Sequence, residues 1–209
     1  MSKPYAILTT DLHLTEKAED QYRFDLFPWI LKQWGNIPST QAVFITGDLT
    51  DRKDNHSGWF VNKIVDHLTQ LSKRFTIYLL KGNHDFVDPT SPFFQFIGPM
   101  GNIHYFPEPR MITVKPFKFL MRPNTKYPDK EWVGLEFANA DVVFLHQTFQ
   151  GARAERGIEL DGLSPSRFKS YPGTKFFSGD IHVPQKVGPI TYTGSPYHIH
   201  FGDSFEPRL

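Results

Sequence analysis

Five short apolar runs, each closed by a polar or glycine-bearing turn, constrain this chain more than any other feature. "YAILTT", "AVFIT", "FTIYLLK", "DVVFLH" and "TKFFS" are rich in β-branched and aromatic residues and read as buried strands. Two stretches of helical period separate the first three. Gln21 to Trp34 sets Phe24, Phe27, Ile30, Leu31 and Trp34 on one face, with Pro28 early in the helix or bending it, and Ser57 to Arg74 aligns Phe60, Ile64, Leu68 and Leu71. Strand, helix, strand, helix, strand implies parallel pairing through right-handed crossovers. After about residue 100 the runs carry many prolines, as in "RMITVKPFKFLM" and "VGPITYTGSPYHIHFGD", which predicts antiparallel strands and loops. The 209 residues contain neither a repeat nor a linker, so one α/β domain spanning 1–209 is expected.

The polar residues fall at fixed places relative to these strands. Asp11 and His13 follow the first run, Asp48 and Asp51 the second, Asn83, His84 and Asp85 the third, His146 the fourth, and Asp180 and His182 the fifth. All five groups stand at carboxyl ends, the edge at which open α/β sheets bind ligands. A lone Gly-Asp is an ordinary turn and a lone strand-end histidine is ordinarily a core residue. Turn chemistry, however, has no use for the histidine in "GNHD", and five strand ends delivering Asp, Asn and His to one edge exceed what turns require.

The chain has no cysteine, so a metal would be held only by Asp, Glu, Asn, His or backbone, in the mixed oxygen and nitrogen coordination that suits Mn, Mg, Fe or Zn. Its 23 basic residues nearly balance 22 acidic ones, so a polyanion would have to be met by a local patch. The first apolar run is interrupted by Asp11 and His13 and is too short for a secretory signal. No stretch nears the ~20 apolar residues of a membrane span. A soluble, cytoplasmic protein without a membrane partner is expected.

The ordered pattern D-x-H, GD-x-x-D, GNHD, H, GD-x-H resembles that of the calcineurin-like metallophosphoesterase superfamily, from Tyr5 to Asp203. The segment "GDIHVPQKVGPITYTGSPYHIHFGD" is similar to the ending of the SbcD-type nucleases of double-strand-break repair, which runs Gly-His-x-His, Pro-Gln, Tyr-x-Gly-Ser-Pro, then Phe-Gly and an acid. The resemblance implies a four-layer αββα sandwich of two mixed sheets flanked by helices, holding two divalent metal ions, with Mn favoured. It implies that Asp11, His13 and His182 hold one ion, that Asn83, His146 and Asp180 hold the other, and that Asp48 bridges both. His84 would protonate the leaving oxygen, with Asp51 orienting it. Arg52 is a candidate phosphate contact, as in the superfamily's protein phosphatases.

One position departs from the pattern. Gly-His-x-His reads Gly179-Asp180-Ile181-His182 here, so a carboxylate replaces an imidazole, and the added charge favours Mn or Mg over Zn. DNA is the expected substrate, and an SMC-like ATPase partner and homodimerisation are expected by resemblance only, since that family's cap and ATPase-binding segment lie beyond the position of Leu209. "VKPFKFLMRPNTKYPDKEW" interleaves Lys115, Lys118, Arg122, Lys126 and Lys130 with aromatics and reads equally as a strand-binding surface or a solvated one. His198 and His200, alternating with Ile199 and Phe201, predict one strand face. The rival readings are a phosphodiesterase or phosphatase for a small molecule or phosphoprotein, and a DNA-end-binding module without turnover.

Overall fold

The computed structural model describes residues 5–132 and 137–209. Four strands, β1 (Ala6–Thr9), β2 (Ala42–Ile45), β3 (Thr76–Leu80) and β4 (Ile103–Phe106), pair in that order and all in parallel. Each is short; the central β2 is buried along its whole length, while the edge strands β1 and β4 are half-buried. A 3₁₀ segment, Ala18–Asp25, leads into α1 (Leu26–Trp34), in which Pro28 sits in the first turn, where its missing N–H removes no helical hydrogen bond. α2 (Gly58–Ser72) starts at Ser57, whose hydroxyl accepts from Phe60 N at 3.2 Å and caps the helix. Phe60, Ile64, Leu68 and Leu71 of α2 are buried against the sheet together with Phe24, Phe27 and Ile30.

The second sheet joins β5 (Arg110–Val114), β6 (Phe117–Arg122), β7 (Val142–His146), β8 (Lys175–Gly179), β9 (Gln185–Val187) and β10 (Ile190–Tyr192) in the order β5-β6-β7-β8-β10-β9. Only its edges are antiparallel; β6, β7, β8 and β10 run parallel. The antiparallel strands expected in the second half are present as the pairs β5–β6 and β9–β10, whereas the parallel pairing of β6, β7, β8 and β10 between them was not expected. The crossovers there are made by irregular segments with single 3₁₀ turns, such as Glu155–Gly157 and Pro165–Phe168, which have no helical period to read. These turns, with the one-turn α3 (Pro128–Glu131), form the outer cover of the second sheet through Trp132, Phe137 and Phe168.

The sheets meet face to face through an aromatic seam. Phe44 of β2 lies with its ring centroid 4.8 Å from Tyr78, 4.8 Å from Phe119 and 4.7 Å from Phe144, so one side chain joins both sheets. Because β1, β2, β3, β7 and β8 all end on the same side of this seam, their terminal loops face one another. Replacing Phe44 with Ala should cost about 3–5 kcal/mol of unfolding free energy in urea titration, since neither sheet can collapse into the void without losing the other contacts. A loss below about 1 kcal/mol would show that the seam repacks and does not fix the two sheets.

Candidate metal centre

The loop after β1 lies along the loop after β2. Asp11 N donates to Gly47 O at 3.1 Å, His13 N to Asp48 O at 3.0 Å and Leu14 N to Leu49 O at 3.1 Å. Close approach leaves no room for side chains at three glycines. At Gly47, whose φ is +107°, a Cβ would stand 2.1 Å from His146 Nδ1; at Gly82 it would stand 2.2 Å from Asp48 Oδ1. A Cβ at Gly179 would meet Thr10 Oγ1 at 2.2 Å. Asp11, His13, Asp48 and Asp180 have φ of 53°, 41°, 52° and 83°, in the left-handed region that non-glycine residues seldom occupy. Such backbone costs on the order of 1–3 kcal/mol per residue and persists where the surroundings enforce it, typically at functional sites.

These loops bring the strand-end residues together. His13 Nε2 lies 3.1 Å from His182 Nε2 and 3.6 Å from Asp48 Oδ2. Asp11, His13 and His182 can each offer one donor atom to a common cation, as can Asp11, Asp48 and His146. His146 is wholly buried, with Nδ1 2.7 Å from Thr46 O. A carbonyl only accepts, so Nδ1 carries the hydrogen and Nε2 faces inward. That Nε2 is 3.3 Å from Asp48 Oδ2, 3.9 Å from Asp11 Oδ1 and 4.0 Å from Asp180 Oδ1, and 2.8 Å from the Asn83 amide. The space among Asn83, His146, Asp48 and Asp180 is satisfied only by a hydrogen-bearing or positive group. It takes either a proton on His146 Nε2 or the Asn83 amide nitrogen, which reaches Asp180 Oδ1 at 3.2 Å and Asp48 Oδ2 at 3.3 Å when turned inward.

Titration follows the same demand for positive charge. Burial tends to hold His146 neutral, but Asp48 and Asp11 beside it overcome this and raise it well above the usual histidine value. Burial also works against the Asp48 carboxylate, yet His146, His13 and His84 together hold it below the ordinary carboxylate value. Asp11 is raised, chiefly by burial. His13 is raised by its Asp51 and Asp48 neighbours against the opposing effect of burial, whereas burial lowers His182. Among the described residues, no lysine or arginine pairs with Asp11, Asp48 or Asp180. Buried Asp11 Oδ2 has no hydrogen-bond partner. Buried acceptors without a protein cation fit divalent ions, which displace protons on binding. Asp11, His13 and His182 could hold one ion and Asp11, Asp48 and His146 another, with Asn83 and Asp180 standing beside the second group.

His84 stands beside the cage, its ring centroid 4.8 Å from that of His13. Its N–H donates to Asp48 Oδ1 at 2.8 Å, and Nδ1 lies 2.6 Å from the main-chain carbonyl of Asp51. The expected carboxylate partner is thus replaced by a carbonyl. Asp51 N donates to Leu14 O, which holds the residue along the β1 loop, and its carboxylate stands 3.5 Å from His13 Nδ1. Arg52 is not drawn into the cage; it is exposed and borders a small cavity with Glu16 and His56.

Four residues beyond the expected set shape the centre. Asp85 does more than fix its own turn: its buried carboxylate accepts from Asp48 N and Leu49 N at 3.0 Å and Gly82 N at 2.7 Å, joining the β2 and β3 loops. Burial, with Asp48 nearby, pushes it up to about 6. Thr148 hydrogen-bonds Asp180 Oδ2, and Glu155 Oε1 lies 2.9 Å from His182 Nδ1. Thr10, whose hydroxyl donates to Thr46 O at 3.1 Å, packs beneath Gly179. Asp85 belongs to the GNHD strand end, but sequence offers no signal for the other three, because their roles depend on loops meeting in space. His198 and His200 lie in turns, not on a strand: Asp203 Oδ2 accepts from Ile199 N and His200 N at 2.9 Å each and curls the segment. In the basic stretch, Arg122 is buried beside Trp132 and Phe137, and Lys115 and Lys118 lie toward the Val142 end of the sheet, opposite His146.

No curated protein matches the sequence. Among solved structures, the chain is similar to the nuclease MPE of Pseudomonas putida, with 19% identity over 75% of this chain and 68% of that one and a TM-score of 0.41. It is similar to the phosphoesterase Yfce from E. coli, with 14% identity over 91% and 79% of the two chains and a TM-score of 0.42. An archaeal phosphodiesterase gives 13% identity over 91% and 84%, with a TM-score of 0.42. The Calcineurin-like phosphoesterase family matches residues 6–184, a span that contains every strand end contributing to the cage, and the chain belongs to that family.

Proposed function

We propose that this protein is a Mn-dependent nuclease that hydrolyses DNA phosphodiesters. The observation that carries the hydrolytic reading is the ring of Asp, Asn and His groups from five strand ends, buried at Asp11, His13, Asp48 and His146 and half-buried at Asn83, Asp180 and His182, with no lysine or arginine paired to its carboxylates among the described residues. Two divalent cations held there supply a water of lowered pKa and neutralise charge on the phosphate oxygens. The residues of the chain do the rest. Asp48 would be shared between the two ions: its Oδ2 lies 3.6 Å from His13 Nε2 and 3.3 Å from His146 Nε2, while Oδ1 accepts from His84 N. Asp51 O fixes the His84 ring through Nδ1–H, so His84 Nε2 is the atom that carries a proton to the leaving oxygen as the phosphorus–oxygen bond breaks. Asp180, the carboxylate in place of an imidazole, adds negative charge and favours Mn or Mg.

The choice of DNA rests on the likeness of the segment from Gly179 to Asp203 to the SbcD-type ending, and an SMC-like ATPase partner and a homodimer go with that reading. A small phosphodiester would be cut by the same chemistry. The position of Lys115 and Lys118 at the far edge of the sheet favours that second reading over a polymer tracking this particular stretch.

Cleavage of a DNA substrate should appear with Mn, vanish in EDTA and return on Mn addition; activity confined to a chromogenic small diester would refute the nuclease. His84→Ala should lower kcat by about 10²- to 10⁴-fold while Mn stoichiometry stays unchanged, as measured by single-turnover assay beside calorimetry. Full activity in that variant would remove His84 from the mechanism. Calorimetric titration should count two Mn per chain in the native protein and one in Asp180→Ala; two ions retained by the variant would exclude Asp180 as a ligand.

A further inference from the structure

A cleft of about 430 Å³ opens beside the metal centre, with Arg153, Glu155 and Arg156 on one wall and Gln185, Asp203 and Phe205 on the other. It is continuous with the centre through Glu155, whose Oε1 lies 2.9 Å from His182 Nδ1. The two acids of the cleft are engaged elsewhere: Glu155 faces His182, and Asp203 holds the amides of Ile199 and His200. The two arginines are exposed. Among the described residues neither has a carboxylate within ion-pair distance.

Their backbone is nevertheless fixed. Arg153 N donates to Gln185 Oε1 at 2.8 Å and Arg153 O accepts from Gln185 Nε2 at 2.6 Å, tying this loop to β9. Arg156 is held at φ 62° and ψ 16°, a left-handed conformation that a long side chain seldom adopts. Two uncommitted guanidinium forks on a positioned loop suit phosphate oxygens. Phe205 lines the same cleft. Phe201, next to the lining residue Gly202, is the most exposed large apolar side chain described, at 104%.

We infer that this cleft binds the stretch of a single-stranded polynucleotide adjoining the phosphate to be cut, with Arg153 and Arg156 on its phosphates and Phe201 stacked on a base. This inference rests on the phosphodiesterase reading above. Paired basic groups with exposed aromatic faces match a single strand, whose unstacked bases are free to lie on a ring; in a duplex those faces are covered.

The test is fluorescence anisotropy on the full chain loaded with Ca in place of Mn, using a labelled single strand of about 12 nucleotides, with a denaturing gel to exclude cleavage. Arg153→Ala with Arg156→Ala should weaken binding at least ~10-fold and flatten the slope of log K against log salt by about 1.4, as two lost phosphate contacts require. Phe201→Ala should weaken it by about 5-fold or more, the loss of one stacked base. A control removing two charges at the opposite edge, Lys73→Ala with Lys118→Ala, should shift the affinity less than ~2-fold. Native protein that does not bind, arginine variants that bind like the control, or equal affinity for blunt duplex would overturn the inference. Hydrolysis of a small diester by the native protein is measured in parallel, so a failed cleft and a failed catalytic reading give different results.

Discussion

Mutual repulsion among buried acceptors at one edge of the sandwich is the constraint on which the rest of the structure depends. Asp11, Asp48 and Asp180 face His13, His146 and His182 with no lysine or arginine paired to the carboxylates among the described residues. Each group loses hydration on burial, so the folded frame must hold them there against their own preference. Strain records the force involved: four of these residues sit at positive φ. The frame answers with rigid parts. Phe44 locks one sheet to the other, Asp85 binds the β2 and β3 loops through three amides, and Gly47, Gly82 and Gly179 let backbone approach side chains where no Cβ fits. The carboxylates of Asp48 and Asp11 raise His146, and His146 in turn lowers Asp48, both in the direction that a demand for positive charge at this place requires. Divalent ions would meet that demand.

What could be read from the sequence was what strands determine locally. Each of the five expected strands is present, and each ligand candidate sits at the carboxyl end assigned to it, because an apolar run must stop where its polar residue begins. The apolar faces were legible for the same reason: Phe24 in the 3₁₀ segment and Phe27 and Ile30 of α1 are buried, Leu31 and Trp34 are only half-buried beside them, and Phe60, Ile64, Leu68 and Leu71 of α2 are buried. The parallel pairing of β6, β7, β8 and β10 was hidden, since the segments between them are irregular and carry no period. The His198–Phe201 alternation misled because a single tertiary hydrogen-bond acceptor, Asp203, decides the local path. The same limit kept Thr148, Glu155, Arg153 and Arg156 out of view. They belong to one long loop whose position relative to the centre is set by β9 and by His182, not by its own composition.

Asp180 shows how a frame built for one ligand type accepts another. Aspartate reaches less far than histidine, so where its carboxylate falls depends on its backbone. Its φ of 83° and the hydrogen bond from its amide to Asp11 Oδ1, at 3.1 Å, set that backbone. That bond joins the residue to a ligand candidate of the other ion. On the proposed ligation, a change at Asp180 would reach both ion positions, through charge on its own side and through the orientation of Asp11 on the other. Thr148 engages the second carboxylate oxygen and leaves Oδ1 facing His146 and Asn83. An imidazole would present one neutral nitrogen in that place, whereas the carboxylate presents a charged oxygen held by a neighbouring hydroxyl. The donor set thereby shifts towards oxygen and towards negative charge at a position that shares Asp48 with its neighbour. On the proposed ligation, both changes would favour hard, oxygen-preferring cations over zinc.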